Sequence, residues 1–106
     1  MSKLKNIFDN VPEFIPDEIF ETILLSDKIK IERIVSKGQS SPQDFWYDQN
    51  QNEWVVLLKG KANLLFYQNE IIELREGDYI NIPAHKKHRV EWTDPHVETI
   101  WLAIYY

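Results

Sequence analysis

The predicted fold is decided by the stretch Gly77-Asp-Tyr-Ile-Asn-Ile-Pro-Ala-His-Lys-Lys-His-Arg-Val-Glu-Trp92. It contains two short segments rich in β-branched and aromatic residues, separated by a turn that carries a proline. Side chains alternate along a strand, so a strand beginning at His88 has His88, Val90 and Trp92 on one face. If Val90 and Trp92 point into a core, we expect His88 to point into it as well.

The chain on either side repeats this alternation of short strands and turns from residue 29 onward. A turn roughly every eight to twelve residues is typical of an all-β sandwich or barrel. We therefore predict an all-β fold of two packed antiparallel sheets. The predicted strands cover residues 29–35, 53–58, 61–67, 71–74, 79–82, 88–92 and 97–105.

The N-terminal part has a different pattern and predicts one short helix over residues 16–25. Pro16 stands near the first helical position, and two carboxylates follow in the first turn. The apolar stripe expected on this helix consists of Ile19, Phe20, Ile23 and Leu24. We expect residues 1–28 to form an extension that packs on a barrel domain of residues 29–106.

Composition excludes several function classes. The 106 residues include no cysteine, which excludes thiolate metal sites and cysteine nucleophiles. A net charge of −5 argues against binding to nucleic-acid backbones. The longest apolar runs, at 54–58 and 100–106, are far shorter than the ~20 residues that span a bilayer. The first ten residues have no apolar leader segment, so we expect a cytoplasmic protein without nucleic-acid or membrane partners.

The stretch quoted above resembles the second signature motif of the cupin superfamily, small β-barrels of the jelly-roll kind. That motif reads G-x5-P-x-G-x2-H-x3-N. Gly77, Pro83 and His88 match it in register, while His85 replaces the glycine and Trp92 replaces the asparagine. The resemblance implies a cupin-type jelly-roll barrel.

An earlier stretch resembles the first cupin motif, G-x5-H-x-H-x(3,4)-E-x6-G, in part. Glu53 and Gly60 match with the required spacing. Other residues occupy the two histidine positions: Trp46 and Asp48 with a four-residue gap, or Tyr47 and Gln49 with a three-residue gap. The chain therefore looks like a small single-domain bacterial cupin with incomplete first-motif histidines.

The resemblance implies a metal site inside the barrel, with Asp48, Glu53 and His88 as its candidate ligands. Two carboxylates and one imidazole favour a divalent ion such as Mn²⁺, Fe²⁺ or Mg²⁺, with zinc not excluded. The alternative is a pocket without metal in which Glu53 and His88 form a hydrogen bond with each other.

Two tryptophans stand at polar positions of the motifs. Trp46 and Trp92 are both expected to face inward and line a pocket for a small ring-shaped ligand. His85 is the candidate acid–base group at the mouth of that pocket. The alternatives are tryptophans that only fill barrel volume and a solvated turn histidine.

Two function classes stay open at this point. The first is a small-molecule-binding cupin whose ligand is unknown, with or without a divalent metal. The second is a metal-dependent cupin enzyme, a dioxygenase, isomerase or lyase, that uses Glu53, His88 and Asp48.

Two predicted strands have apolar side chains on both faces, which predicts a homodimer. One face of each can line the barrel, and the opposite face requires another cover. The opposite faces carry Trp54, Val56 and Leu58 in one strand and Ile100, Leu102 and Ile104 in the other.

Overall fold

The computed structural model describes residues 4–106, and within that range it contains eight β-strands and no helix. Residues 1–3 of the expected N-terminal extension lie outside the described range. The strands are β1 (Ile19–Leu25), β2 (Lys30–Ser36), β3 (Glu53–Lys59), β4 (Ala62–Phe66), β5 (Glu70–Leu74), β6 (Tyr79–Ile82), β7 (His88–Thr93) and β8 (Thr99–Tyr105). Among these residues, no helix is long and apolar enough to cross a bilayer.

The strands form two antiparallel sheets, which confirms the predicted all-β jelly roll. One sheet has five strands in the order β1-β2-β8-β3-β6, and the other has three in the order β5-β4-β7. The core lies between them because strands of both sheets alternate buried and less buried side chains, as in β3 and β4. Its buried members are Ile34, Val55, Leu57, Ala62, Leu64, Phe66, Leu74, Ile82, Trp101 and Ala103.

The helix predicted over residues 16–25 is wrong, because Ile19–Leu25 forms β1 and pairs antiparallel with β2. A ten-residue helix is marginal by itself, whereas a strand at this place gains a hydrogen-bonded ladder along an existing sheet. An ion pair reinforces the pairing, since Arg33 Nη2 of β2 lies 2.7 Å from Glu21 Oε1 of β1. Arg33 Nη1 also donates to the carbonyls of Ile7 and Asp9, which holds the preceding segment against the sheet.

The expected inward orientation of Trp92 is also wrong. The pairing of β7 with β4 shifts register, so that Val90 faces Leu64 but Trp92 faces Asn63. One extra residue, Glu91, lies between the two pairs and reverses the alternation after Val90. Trp92 is consequently 41% exposed on the outer side.

The connection between β3 and β4 requires a glycine. Gly60 has φ +91°, and a Cβ atom placed there would lie 2.7 Å from Thr99 Oγ1 and 2.8 Å from the Glu98 carbonyl oxygen. Both the left-handed backbone and the close approach of β8 exclude a side chain at this position.

Candidate ligand-binding site

A cavity of about 50 Å³ lies inside the barrel and is lined by residues of both sheets. Most of its wall is apolar. The apolar lining consists of Phe20, Ile34, Val55, Leu64, Ile82, Val90 and Trp101. The polar lining consists of Glu18, Tyr47, Glu53, His88 and Tyr105. An apolar pocket with a few convergent polar groups is the usual form of a small-molecule site.

The most buried polar contact in this wall joins Glu53 of β3 to His88 of β7. His88 Nε2 lies 3.3 Å from Glu53 Oε1, and both side chains are almost fully buried. The same Oε1 accepts a 3.0 Å hydrogen bond from Gln49 Nε2. His88 Nδ1 lies 2.9 Å from the Lys86 carbonyl oxygen, which can only accept, so Nδ1 carries a proton.

Tyr47 places the segment before β3 in the site. Its amide donates to the His88 carbonyl at 2.7 Å, and the His88 amide donates back at 3.2 Å. The two rings stack with centroids 5.5 Å apart. Tyr47, Gln49 and Glu53 are separated by even numbers of residues, and all three contact the site. The structure thus follows the three-residue gap of the first motif.

Asp48 and His85, which the sequence assigned to the site, pair with each other instead. His85 Nδ1 lies 2.8 Å from Asp48 Oδ1, and both side chains are largely exposed. Neither residue lines the cavity. Residues 4–106 contain no group of three or more histidine, aspartate or glutamate side chains arranged to hold a metal ion. The predicted convergence of Asp48 with Glu53 and His88 is therefore not found.

Trp46 also lies away from the cavity lining. Its ring packs edge-to-face against Tyr67, with centroids 5.5 Å apart. Trp46 and Asp48 are the residues that a four-residue gap would place at the histidine positions. Because side chains alternate along an extended segment, both point away from the side that carries Tyr47. Of the predicted site residues, the structure brings together only Glu53 and His88.

Burial and neighbouring carboxylates change the acidity of three groups around the cavity. Burial raises the pKa of Glu18, against the lowering effect of its 2.6 Å hydrogen bond from Ser36 Oγ. Burial also raises the pKa of Tyr47 and of Tyr105, and nearby negative charges, among them Glu53, raise both further. The cavity therefore disfavours ionisation of its phenols.

Comparison with known proteins assigns the family. The family model described as "Cupin domain" matches residues 32–105, which is most of the chain. The chain belongs to the cupin family. No curated protein matched this cupin.

Solved structures agree with this assignment. A candidate mannose-6-phosphate isomerase from Ralstonia eutropha JMP134 is 45% identical, with a TM-score of 0.93, and the match covers 98% of this cupin and 97% of that chain. A cupin superfamily protein from Desulfitobacterium hafniense DCB-2 is 20% identical, with a TM-score of 0.74 over 90% of this chain and 82% of the other. An RmlC-like cupin from Desulfovibrio desulfuricans is 18% identical, with a TM-score of 0.75 over 99% and 97%. The last two support the fold alone.

The side chains of this cupin do not fit a metal centre of the kind that the fold often holds. Glu53 and His88 are suitable donors, but Tyr47 and Gln49 occupy the two histidine positions. A phenol with a raised pKa stays protonated and is a weak metal ligand. The Gln49 side chain turns its amide nitrogen, which is not a metal ligand, toward Glu53 and donates a hydrogen bond to it. Two good donors are fewer than a catalytic metal site normally takes from its protein.

Sequence reasoning missed three residues of the site, Glu18, Tyr47 and Tyr105. Tyr47 could have been found from its even spacing with Glu53, once the three-residue gap was chosen. Tyr105 lies opposite Glu53 in the pairing of β8 with β3, which needs the strand register. Nothing in the sequence around Glu18 indicates a role in the site, because Glu18 reaches the cavity only when residues 19–25 form a strand.

Proposed function

We propose that this cupin binds a small molecule in the barrel cavity, with the Glu53–His88 pair as its polar anchor. The observation that carries the proposal is the cavity itself. Its apolar wall offers an anchor on one side and leaves room for a ligand between the sheets. The proposal retains the small-molecule function expected from the sequence and replaces its ligand residues Trp46, His85 and Trp92 with Tyr47, Glu53 and His88.

An NMR screen of small polar and apolar compounds tests this function. We expect saturable shifts at Trp101 and His88, which line the cavity. Val90→Phe adds volume to the cavity wall and should abolish them. Ile71→Phe is the matched control, because Ile71 is 59% exposed on β5, and should leave binding unchanged. Shifts that survive Val90→Phe, or the absence of any binding, would contradict a cavity ligand.

A metal-dependent enzyme is the second candidate, and one comparison favours it. The Ralstonia relative, at 45% identity, is described as a candidate mannose-6-phosphate isomerase. Such an activity would use Glu53 and His88 with a divalent ion such as Mn²⁺, Fe²⁺ or Mg²⁺, as the sequence-based alternative proposes. Elemental analysis of protein purified without a polyhistidine tag separates the candidates. We expect no stoichiometric transition metal, and a ratio near one per chain would favour the enzyme.

We further propose that the protein is a cytoplasmic homodimer. The support for a dimer is the outer face of the five-stranded sheet, where Trp54, Val56, Leu58, Leu102 and Ile104 are only half-buried in the single chain. Ile100, which the sequence placed on the same face, is buried within the chain.

A further inference from the structure

We infer that the cavity selects a small ammonium compound: a short apolar body that ends in a positively charged amine. This assignment rests on the proposed function, since it names the chemical class of the cavity ligand. It follows from three properties of the wall, namely its unoccupied hydrogen-bonding positions, its charge and aromatic content, and its size.

Most of the unoccupied hydrogen-bonding positions are acceptors; the Tyr47 hydroxyl, which also has no partner among residues 4–106, can both donate and accept. Within residues 4–106, both hydrogen bonds to Glu53 go to Oε1, which leaves Oε2 free in a residue only 8% exposed. Glu18 accepts from Ser36 through Oε2 and has Oε1 free. Both ring nitrogens of His88 already have partners. A ligand that donates to the two carboxylates and to the phenol oxygen completes this wall, and an ammonium group supplies three donors and no acceptor.

The wall also favours positive charge. Its carboxylates are Glu18 and Glu53, and no lysine or arginine of residues 4–106 lines it. A further carboxylate, the buried Glu32, accepts from the Tyr105 hydroxyl at 3.4 Å, but Lys30 pairs with it at 3.0 Å. The remaining wall includes four aromatic rings, whose faces attract cations: Phe20, Tyr47, Trp101 and Tyr105. Carboxylates and aromatic faces around an apolar cavity repel an anion and attract an ammonium ion.

Size limits the apolar body. One water molecule, which has one non-hydrogen atom, needs roughly 10–15 Å³ of cavity volume. A cavity of about 50 Å³ therefore takes about three to five non-hydrogen atoms. A phosphorylated hexose is several times larger, and its phosphate would meet two carboxylates and no lysine or arginine of the range 4–106. The chemistry named for the Ralstonia relative therefore does not suit this cavity.

The probes that test this inference are n-propylammonium, 1-propanol, propionate and inorganic phosphate. The first three have matched apolar bodies and differ in the end group. NMR titration at pH 7 and constant ionic strength follows Trp101 and His88. We expect propylammonium to bind at least about tenfold more tightly than propanol, as a charged hydrogen bond to a buried carboxylate requires. Propionate and phosphate should cause no cavity shifts.

Two variants assign the selectivity to the carboxylates. Glu53→Gln and Glu18→Gln should each reduce the preference for propylammonium over propanol by about tenfold. Glu70→Gln removes the same charge at an exposed site on β5 and should change nothing. If Glu53→Gln does not fold, Glu18→Gln alone carries the test, because Glu18 is only half-buried.

The outcomes separate the inference from the proposed function. If propanol, propionate or phosphate binds as tightly as propylammonium and Val90→Phe removes the binding, the ammonium assignment is overturned and a cavity ligand stands. If propylammonium binds equally well to both glutamine variants, the assignment is overturned too. If no probe shifts Trp101 or His88, both the assignment and the proposed function fail.

Discussion

Two tyrosines show how single residues record the environment of the cavity. Tyr47 and Tyr105 have pKa values raised above the ordinary 10.0, first by burial and then by surrounding carboxylates. In the folded state both keep their protons at a pH at which the unfolded chain has lost them. The folded state then binds more protons, so the free energy of unfolding falls as the pH rises above about 10.

We predict that replacing both phenols weakens this alkaline loss of stability. Tyr105 alone contributes a slope of up to about 1.4 kcal/mol per pH unit above pH 10. Denaturant unfolding between pH 8 and pH 11 (roughly two units below and one above the ordinary tyrosine pKa) should give a flatter profile for Tyr47→Phe/Tyr105→Phe than for the parent. Tyr67→Phe/Tyr79→Phe, at exposed positions, is the control. Parallel profiles for all three proteins would contradict the prediction.

The length of the gap before Glu53, three or four residues, explains which part of the site could be predicted from the sequence. Glu53 and His88 are motif positions in register, and they meet as the sequence indicates. The first motif allowed two gaps, and each gap put a different pair of side chains at the site. Only the backbone bridge between Tyr47 and His88 decides between them. That bridge forms between residues far apart in sequence, which spacing within the motif cannot reveal.

Among the elements, the strands that carry alternating patterns were predicted and the irregular ones were not. The faces of β3 follow the alternation, with Glu53, Val55 and Leu57 buried. The prediction for β1 was wrong because its apolar residues also suit a helix. The segment forms a strand because it can pair with the neighbouring edge of β2. In β7, the predicted orientation of Trp92 was wrong because the strand has a bulge. A bulge depends on the pairing with β4 and cannot be recognised from the sequence of β7 alone.

Two glycines allow a prediction at the scale of a turn. Gly60 and Gly77 have nearly the same φ, +91° and +89°. A Cβ atom added at Gly60 would have neighbours within 3 Å, whereas one added at Gly77 would have none within 4 Å. Gly77→Ala should therefore cost only the backbone strain, about 1–2 kcal/mol. Gly60→Ala should cost several kcal/mol more, because β8 must move away.

Urea unfolding of the two alanine variants measures the difference. The shared φ makes Gly77→Ala the control for backbone strain, so the difference reports the contact with Thr99 and Glu98. Equal losses of stability in the two variants would show that β8 gives way easily, contrary to the close packing at this turn.

At the scale of the whole molecule, the two faces of the five-stranded sheet have different surroundings. The inner face packs on the three-stranded sheet and encloses the cavity. On the outer face, Trp54 lies opposite Ile104, and Val56 lies opposite Leu102, so the four side chains form one block. The N-terminal segment reaches this side at Arg33, through the carbonyls of residues 7 and 9. The block itself stays half-buried.

We predict that a second copy covers this outer block. Completing the burial of each side chain contributes about 1 kcal/mol, and a two-fold axis lets both copies contribute the same block. Light scattering coupled to size exclusion should therefore give about twice the chain mass of 12.7 kDa. Val56→Lys/Leu102→Lys should give the single-chain mass with the fold retained, because a lysine can extend to solvent when the block is uncovered. Ile71→Lys, on the exposed side of β5, should stay dimeric. A parent mass near 12.7 kDa would contradict the prediction and mean that the half-buried block stays in contact with solvent.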